Sequence, residues 1–221
     1  MSDVNTIIND LKEAGAQFAY SKSKRHPSTS KYIAGRKDTR EIFNLEETAQ
    51  RMQEAKEFVR KNLDSSALIL FVGTKNEARA KVKEVAERLS QPYVSNRFIG
   101  GTLTNFTEIR KRINHMKDLR AKFAAGELKG YTKKEKLLLE RELKKLEEKF
   151  GGLEKLERLP QLLVIVDPCH EDIALKEAKD MGIKVLAIAN NDCDYSKLDL
   201  VIPANDANSK TISYILDFIT A

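Results

Sequence analysis

The spacing of apolar positions changes along the chain, and each change marks a different kind of element. Val4, Ile7, Ile8 and Leu11 recur at three- and four-residue intervals, which predicts a short helix over residues 4–14 capped by Ser2 or Asp3. Tyr32-Ile33-Ala34-Gly35 and Glu41-Ile42-Phe43-Asn44-Leu45 read as two short strands around a turn. From Asn44 to Asn62 a helical period returns, with Leu45, Ala49, Met52, Ala55, Phe58, Val59 and Leu63 on one face.

Continuous apolar runs come next. Ala67-Leu68-Ile69-Leu70-Phe71-Val72 shows no polar alternation, as a strand covered on both faces requires. Gly73-Thr74-Lys75 turns the chain into a helix over residues 76–89, and residues 91–95 make a short strand. Residues 161–166 form another buried strand, ending at Asp167-Pro168. A helix over 171–181 stops at Gly182, a strand covers 183–189, Leu200-Val201-Ile202-Pro203 is the last strand, and residues 207–219 the closing helix. This alternation predicts an α/β fold with a doubly wound parallel sheet, Rossmann-like or flavodoxin-like.

Between about 103 and 155 the alternation stops. Phe106, Ile109, Ile113 and Met116, and then Leu139, Leu143, Leu146, Phe150 and Leu153, have a heptad-like spacing on either side of a turn region at 124–132. Two such helices predict an inserted antiparallel coiled-coil hairpin. The expected organisation is a sheet domain of residues 1–102 and 156–221 with the hairpin at 103–155. The stripes are expected to zip the helices together and leave basic outer faces free.

Composition narrows the class. Of 221 residues 41% are hydrophobic and 33% charged, and ten Gly and five Pro are too few for a collagen-like or disordered chain. The longest apolar runs fall far short of the roughly 20 residues that span a bilayer, so no membrane partner is expected. Met1-Ser2-Asp3-Val4-Asn5 has no basic or apolar leader pattern, and export is not expected. Cys169 and Cys193 are far apart and form no CxxC, so they are read as reduced cytosolic thiols without a disulfide framework or zinc site.

The net charge of +6 is unevenly spread. Residues 22–40 hold seven Lys and Arg (Lys22, Lys24, Arg25, Lys31, Arg36, Lys37, Arg40) against one Asp38, and residues 108–158 hold 16 basic and 10 acidic side chains. Residues 159–221 carry 5 basic and 10 acidic. The two basic segments suit a phosphate-rich partner, or serve as a solubilising surface.

Candidate chemistry is sparse elsewhere. Phe71-Val72-Gly73-Thr74-Lys75 has the strand-turn-helix outline of a phosphate site but neither glycine fingerprint, and a tight turn explains its glycine. Asp167 and Asp192 end neighbouring strands, where doubly wound enzymes place ligands. They could be an acid/base pair, Mg²⁺ ligands, or caps of the helices beyond those strands. His26, His115 and His170 share no ligand-like spacing, and no cofactor or metal is expected. Cys193 has no base beside it in sequence. The competing functional class is an enzyme of the nucleotide or sugar-phosphate kind, with its site at the sheet edge near Gly73, Asp167 and Asp192.

The densest signal is Asn96-Arg97-Phe98-Ile99-Gly100-Gly101-Thr102-Leu103-Thr104-Asn105-Phe106, with Arg110-Lys111-Arg112 just beyond it. Paired glycines open the backbone, Thr102, Thr104 and Asn105 offer small polar contacts or a helix cap, and bases lie on the first helical turns. Amides and cations at a helix start suit phosphate oxygens; the segment also serves as a crossover from sheet to hairpin. With the basic segment before them, Lys22, Lys24, Arg25, Asn96, Arg97, Gly100, Gly101, Thr102, Thr104, Asn105, Arg110, Lys111 and Arg112 are the candidate phosphate contacts, RNA-binding residues if the partner is RNA.

This segment resembles the signature of the bacterial ribosomal protein S2 family. Phe71-Val72-Gly73-Thr74-Lys75, Val164-Ile165-Val166-Asp167, Lys176-Glu177-Ala178, Asp192-Cys193-Asp194 and Val201-Ile202-Pro203-Ala204-Asn205-Asp206 extend the resemblance over nearly the whole chain. The resemblance implies a non-enzymatic component of the cytoplasmic small ribosomal subunit. It implies binding to 16S rRNA, late joining in assembly, and contacts with neighbouring small-subunit proteins. Among these is the large mRNA-binding protein of repeated OB domains, docked for translation initiation. One stretch departs: where the family has Gly-x-His-Phe-Gly-His, this chain has Gly15-Ala16-Gln17-Phe18-Ala19-Tyr20, and then His26-Pro27. Gln17 and Tyr20 can hydrogen-bond but do not titrate near neutral pH. No long tail is expected beyond the last helix.

Overall fold

The computed structural model describes residues 4–221, so the cap expected at Ser2 or Asp3 lies outside the described residues. Helix α1 (Val4–Glu13) leads through two short 3-10 turns, Lys22–Lys24 and Pro27–Tyr32, into an antiparallel ladder of β1 (Ile33–Lys37) and β2 (Arg40–Phe43). Helix α2 (Leu45–Asp64) starts where the Asn44 side chain accepts a bond from the Glu46 amide at 3.1 Å. The basic stretch 21–30 is anchored in the fold at Thr29. Thr29 is fully buried, and its hydroxyl donates to the carbonyls of His26 and Asn191.

The apolar runs become β3 (Ile69–Val72), β4 (Tyr93–Val94), β5 (Leu162–Val166), β6 (Lys184–Ala189) and β7 (Leu200–Pro203). They form one parallel sheet in the order β4-β3-β5-β6-β7. From β3 the chain passes through α3 (Asn76–Arg88) to the edge strand β4, then returns across β3 to β5. This reversal is the topological switch point of a doubly wound sheet, where a crevice opens at the carboxyl ends of the strands.

Alternate strand residues feed two cores. Ile69, Phe71, Leu162, Val164, Val166, Leu186, Ile188 and Ile202 pack with α1, α2, α3 and the closing helix α7 (Ser209–Ile219). Leu70, Val72, Leu163, Ile165, Val185 and Ala187 pack with α4 (Phe106–Ala124), α5 (Lys133–Phe150) and α6 (Asp172–Asp180). Each fully buried Leu or Ile contributes roughly 1.5–3 kcal/mol from leaving water.

The heptad-like stripe of α4 has two hosts. Ile109, Ile113, Met116 and Leu119 are buried in the same continuous core as the sheet residues, while α4 also packs on α5. His115 meets Glu142 at 3.0 Å and Arg120 meets Glu147 at 2.9 Å. The buried side of α4 is thus continuous with one core that includes the second face of the sheet and α5. Helix α5 begins with a Thr132/Glu135 capping box and buries only Leu146 and Phe150, while Leu137 and Leu138 are exposed.

Candidate nucleic-acid interface

The glycine-rich segment leaves the carboxyl end of β4 and enters α4. Gly101 has a φ of 89°, a left-handed value that a side chain would strain. This turn points three amides inward at one carboxylate, while the Thr102 amide donates to the Ile99 carbonyl. Glu177, on α6 and mostly buried, accepts from Gly101 N at 2.5 Å through Oε1, and from Leu103 N at 2.9 Å and Thr104 N at 3.2 Å through Oε2. The anion that these amides suit is therefore the protein's own. Thr102 is fully buried with its hydroxyl on the Ile99 carbonyl, so its side chain is withdrawn from any ligand. Asn105 stands at the cap position of α4 but makes no side-chain capping bond.

The turn after β3 repeats the arrangement. Glu171, just before α6, accepts from Thr74 N at 2.8 Å and Thr74 Oγ1 at 2.5 Å, both buried. A Cβ on Gly73 would stand 2.9 Å from Val82 Cγ2, so glycine is needed here for the close approach of α3 to the strand end. The amide that an incoming phosphate would use at the switch point is occupied. Asp167 accepts from the amides of Cys169 and His170 and so caps a turn. Asp192 makes no such cap, and Asp194 does so in its place, accepting from Ser196 N.

An acidic group fills the rest of this edge. Lys75 Nζ lies 2.8 Å from Asp167 Oδ2 and 3.6 Å from Asp206 Oδ1. Burial alone would lower the Lys75 pKa, but Asp206 and Asp167 outweigh it and hold the ammonium above its ordinary value. Burial, reinforced by Asp167, pushes the Asp192 carboxyl up and that of Asp206 up to about 6. Tyr20 packs nearby, its phenol pushed up by burial and by Asp206. Its amide donates to the side-chain oxygens of Asn190 and Asn191, just past β6. Gln17 Oε1 is buried without a hydrogen-bond partner among the described residues.

The expected RNA-binding cations fall into two groups. Arg25 and Arg110 are tied inward. Arg25 Nη1 meets the buried Glu41 at 2.9 Å, and Arg110 Nη1 donates to the Leu156 carbonyl at 3.0 Å. Lys22, Lys24, Arg97, Lys111 and Arg112 are exposed. Lys24 rests over the Tyr20 ring and Lys111 pairs with Glu108 one turn away, a contact worth little in water. Arg97 and Arg112 have no ion-pair partner among the described residues. Asn96, Thr104 and Gly100 are exposed, with the Asn96 amide on the Glu148 carbonyl.

Two adjoining clefts flank the end of β4. One of about 410 Å³ is lined by Arg79, Lys83, Asn96, Arg97 and Lys149, with Glu147 and Glu148 opposite. The other, about 300 Å³, shares Arg79, Asn96 and Arg97 and adds Thr74, His170 and Glu171. Arg79, Lys83 and Lys149 were missed by sequence reasoning. They sit on two different helices, and no local pattern joins them to Arg97. Lys22 and Lys24 belong to the other flank of the same edge, where residues 20–29 bond the segment after β6.

The family model "Ribosomal protein S2" matches residues 11–221. Among curated proteins, the small ribosomal subunit protein uS2 of Desulfovibrio desulfuricans is 40% identical over 199 residues, covering 90% of this chain and 77% of the relative. That of Marinobacter nauticus is 41% identical over 206 residues, covering 93% and 82%. That of Geotalea uraniireducens is 39% identical over 202 residues, covering 91% and 79%. A parallel sheet whose phosphate-like turns are filled by its own glutamates, matched over this length, leaves one conclusion: the chain belongs to the ribosomal protein S2 family, structural ribosomal proteins and not enzymes.

Proposed function

We propose that this chain binds 16S rRNA along the carboxyl edge of its sheet, with Arg97 and Arg112 as phosphate contacts, Arg79, Lys83 and Lys149 beside them, and Lys22 and Lys24 on the other flank. The observation that carries the reading is the pair of clefts around Arg79, Asn96 and Arg97, next to amide turns already neutralised from within. With the amides occupied, what remains for a polyanion is side-chain charge, a mode that reads backbone rather than base sequence. Gly100 keeps the loop surface low enough for close approach, and Asn96, Thr104 and Asn105 add polar contacts.

Family membership also supports late joining in small-subunit assembly and contact with neighbouring small-subunit proteins. It supports a part in docking the large mRNA-binding OB-repeat protein for initiation. A two-sided core that closes without RNA suits a protein that docks late as a folded body.

The test is equilibrium binding of the full chain to 16S rRNA across a salt series, for the parent and for Arg97→Ala/Arg112→Ala. Each phosphate contact contributes about 0.7–0.9 to the log-log salt slope, so the double variant is expected to lose roughly 1.5 slope units. An unchanged slope removes these two residues from the interface.

A further inference from the structure

We propose that Asp167, Cys169 and Cys193 form a binding site for a thiophilic divalent cation, Zn²⁺, at the carboxyl edge of the sheet. A carboxylate oxygen and the two sulfurs lie within 4.8 Å of one another, and Cys193 Sγ is 3.9 Å from Asp167 Oδ1. In a tetrahedral site with Zn–S near 2.3 Å and Zn–O near 2.0 Å, neighbouring donor atoms stand about 3.5–3.8 Å apart. Closing the set around an ion therefore asks for shifts of roughly 1 Å or less. The framework is rigid where it matters. Asp167 stands just past β5 and Cys193 just past β6, two central strands paired from Leu162↔Lys184 to Val166↔Ile188.

The surroundings suit a dication on separate grounds. One ammonium, Lys75, faces both Asp167 and Asp206, with Asp192 close by, and no second cation of the chain pairs with this group among the described residues. Asp206 is fully buried, and its Oδ2 has no hydrogen-bond partner among the described residues. The amides of Cys169 and His170 and the Lys75 ammonium already orient the Asp167 carboxylate, as outer-sphere partners do in metal sites. On binding, each thiol releases its proton to solvent and ligates as a thiolate. The two protons released match the charge of the dication, so Asp167, two thiolates, the dication and Lys75 sum to neutrality and the charges of Asp192 and Asp206 remain beside them. The fourth position goes to water, with Asp192 Oδ1, 3.5 Å from Cys193 Sγ, in the outer sphere. The sequence hides this site because its cysteines are 24 residues apart and lack a zinc-motif spacing.

The experiment titrates the reduced full chain with Co²⁺ and displaces it with Zn²⁺. The expected result is one equivalent bound, with tetrahedral d–d bands and thiolate-to-cobalt charge transfer, both lost on adding Zn²⁺. Cys169→Ser should weaken binding at least about tenfold, the lower end of what losing even an outer-sphere partner does, while the remote Asp217→Asn should leave it unchanged. Should Cys169→Ser misfold by circular dichroism, alkylation of the parent gives the same reading, since bound Zn²⁺ should protect the exposed Cys169. Absence of charge transfer, undiminished affinity in a folded Cys169→Ser, unprotected alkylation, or oxidation to a Cys169–Cys193 disulfide without metal uptake would each overturn the proposal.

Discussion

The turn after β3 and the loop before α4 are built on one plan and carry different loads. Each pairs glycine with threonine at the carboxyl end of a strand, and each presents amides that a phosphate could take. In both, a glutamate takes them instead, Glu171 just before α6 and Glu177 within it. Glu171 serves a single residue, Thr74, through its amide and hydroxyl. Glu177 gathers three amides, from Gly101, Leu103 and Thr104, and so fixes the path by which the chain enters α4. An anion-shaped backbone is thus no proof of an external anion, and the number of amides gathered shows how much structure hangs on the internal one.

Replacing the carboxylates separates the two. Glu177→Gln leaves one acceptor oxygen for three amides and turns a donor toward them, and is expected to destabilise by roughly 3 kcal/mol. Its denaturation midpoint should fall, and hydrogen exchange should quicken at residues 101–104. Glu171→Gln should destabilise less, about 1–2 kcal/mol, because the Thr74 hydroxyl can rotate to a new partner while the amide keeps an oxygen. Equal losses in the two variants would remove the distinction.

The smallest effect lies in the acidic group around Lys75. Asp206 faces Lys75 and Asn190, with Asp167, Asp192 and Tyr20 around it. Its folded pKa of about 6 is above its ordinary value of 3.8, so the folded state holds the proton more tightly. The resulting stability is fully present below about pH 4 and lost as pH rises through 6. Between pH 5 and 7.5 the parent's urea midpoint should decline relative to that of Asp206→Asn, measured without added metal. Parallel midpoints would place the pKa of Asp206 near its ordinary value.

Much of the fold is legible because buried parallel strands write themselves as unbroken apolar runs. Ile69–Val72 and Leu162–Val166 are buried at every position. The helices that cover them keep a clear 3.6-residue period. The stripe of α4 is legible as a buried face, but heptad-like spacing does not say that its residues join one continuous core with Leu70 and Leu163 as well as with α5. The site is less legible. Gly101 and Glu177 are 76 residues apart, and Thr74 and Glu171 are 97 apart. The sequence shows loops that bind anions but not the anion folded into them. Arg25 and Arg110 look as available as Arg97 until Glu41 and the Leu156 carbonyl are seen to hold them.

The two glutamates also set a rule of length. Glu171 and Glu177 are six residues apart along one helical path, a rise of about 9 Å. One residue inserted between them would turn the second carboxylate by about 100° and advance it by about 1.5 Å, away from every amide it serves. Substitutions at the exposed positions Asp172, Ile173 and Lys176 keep this register, whereas an insertion does not. The path from Glu171 through α6 is therefore fixed in count as well as at its buried positions Ala174, Leu175 and Ala178.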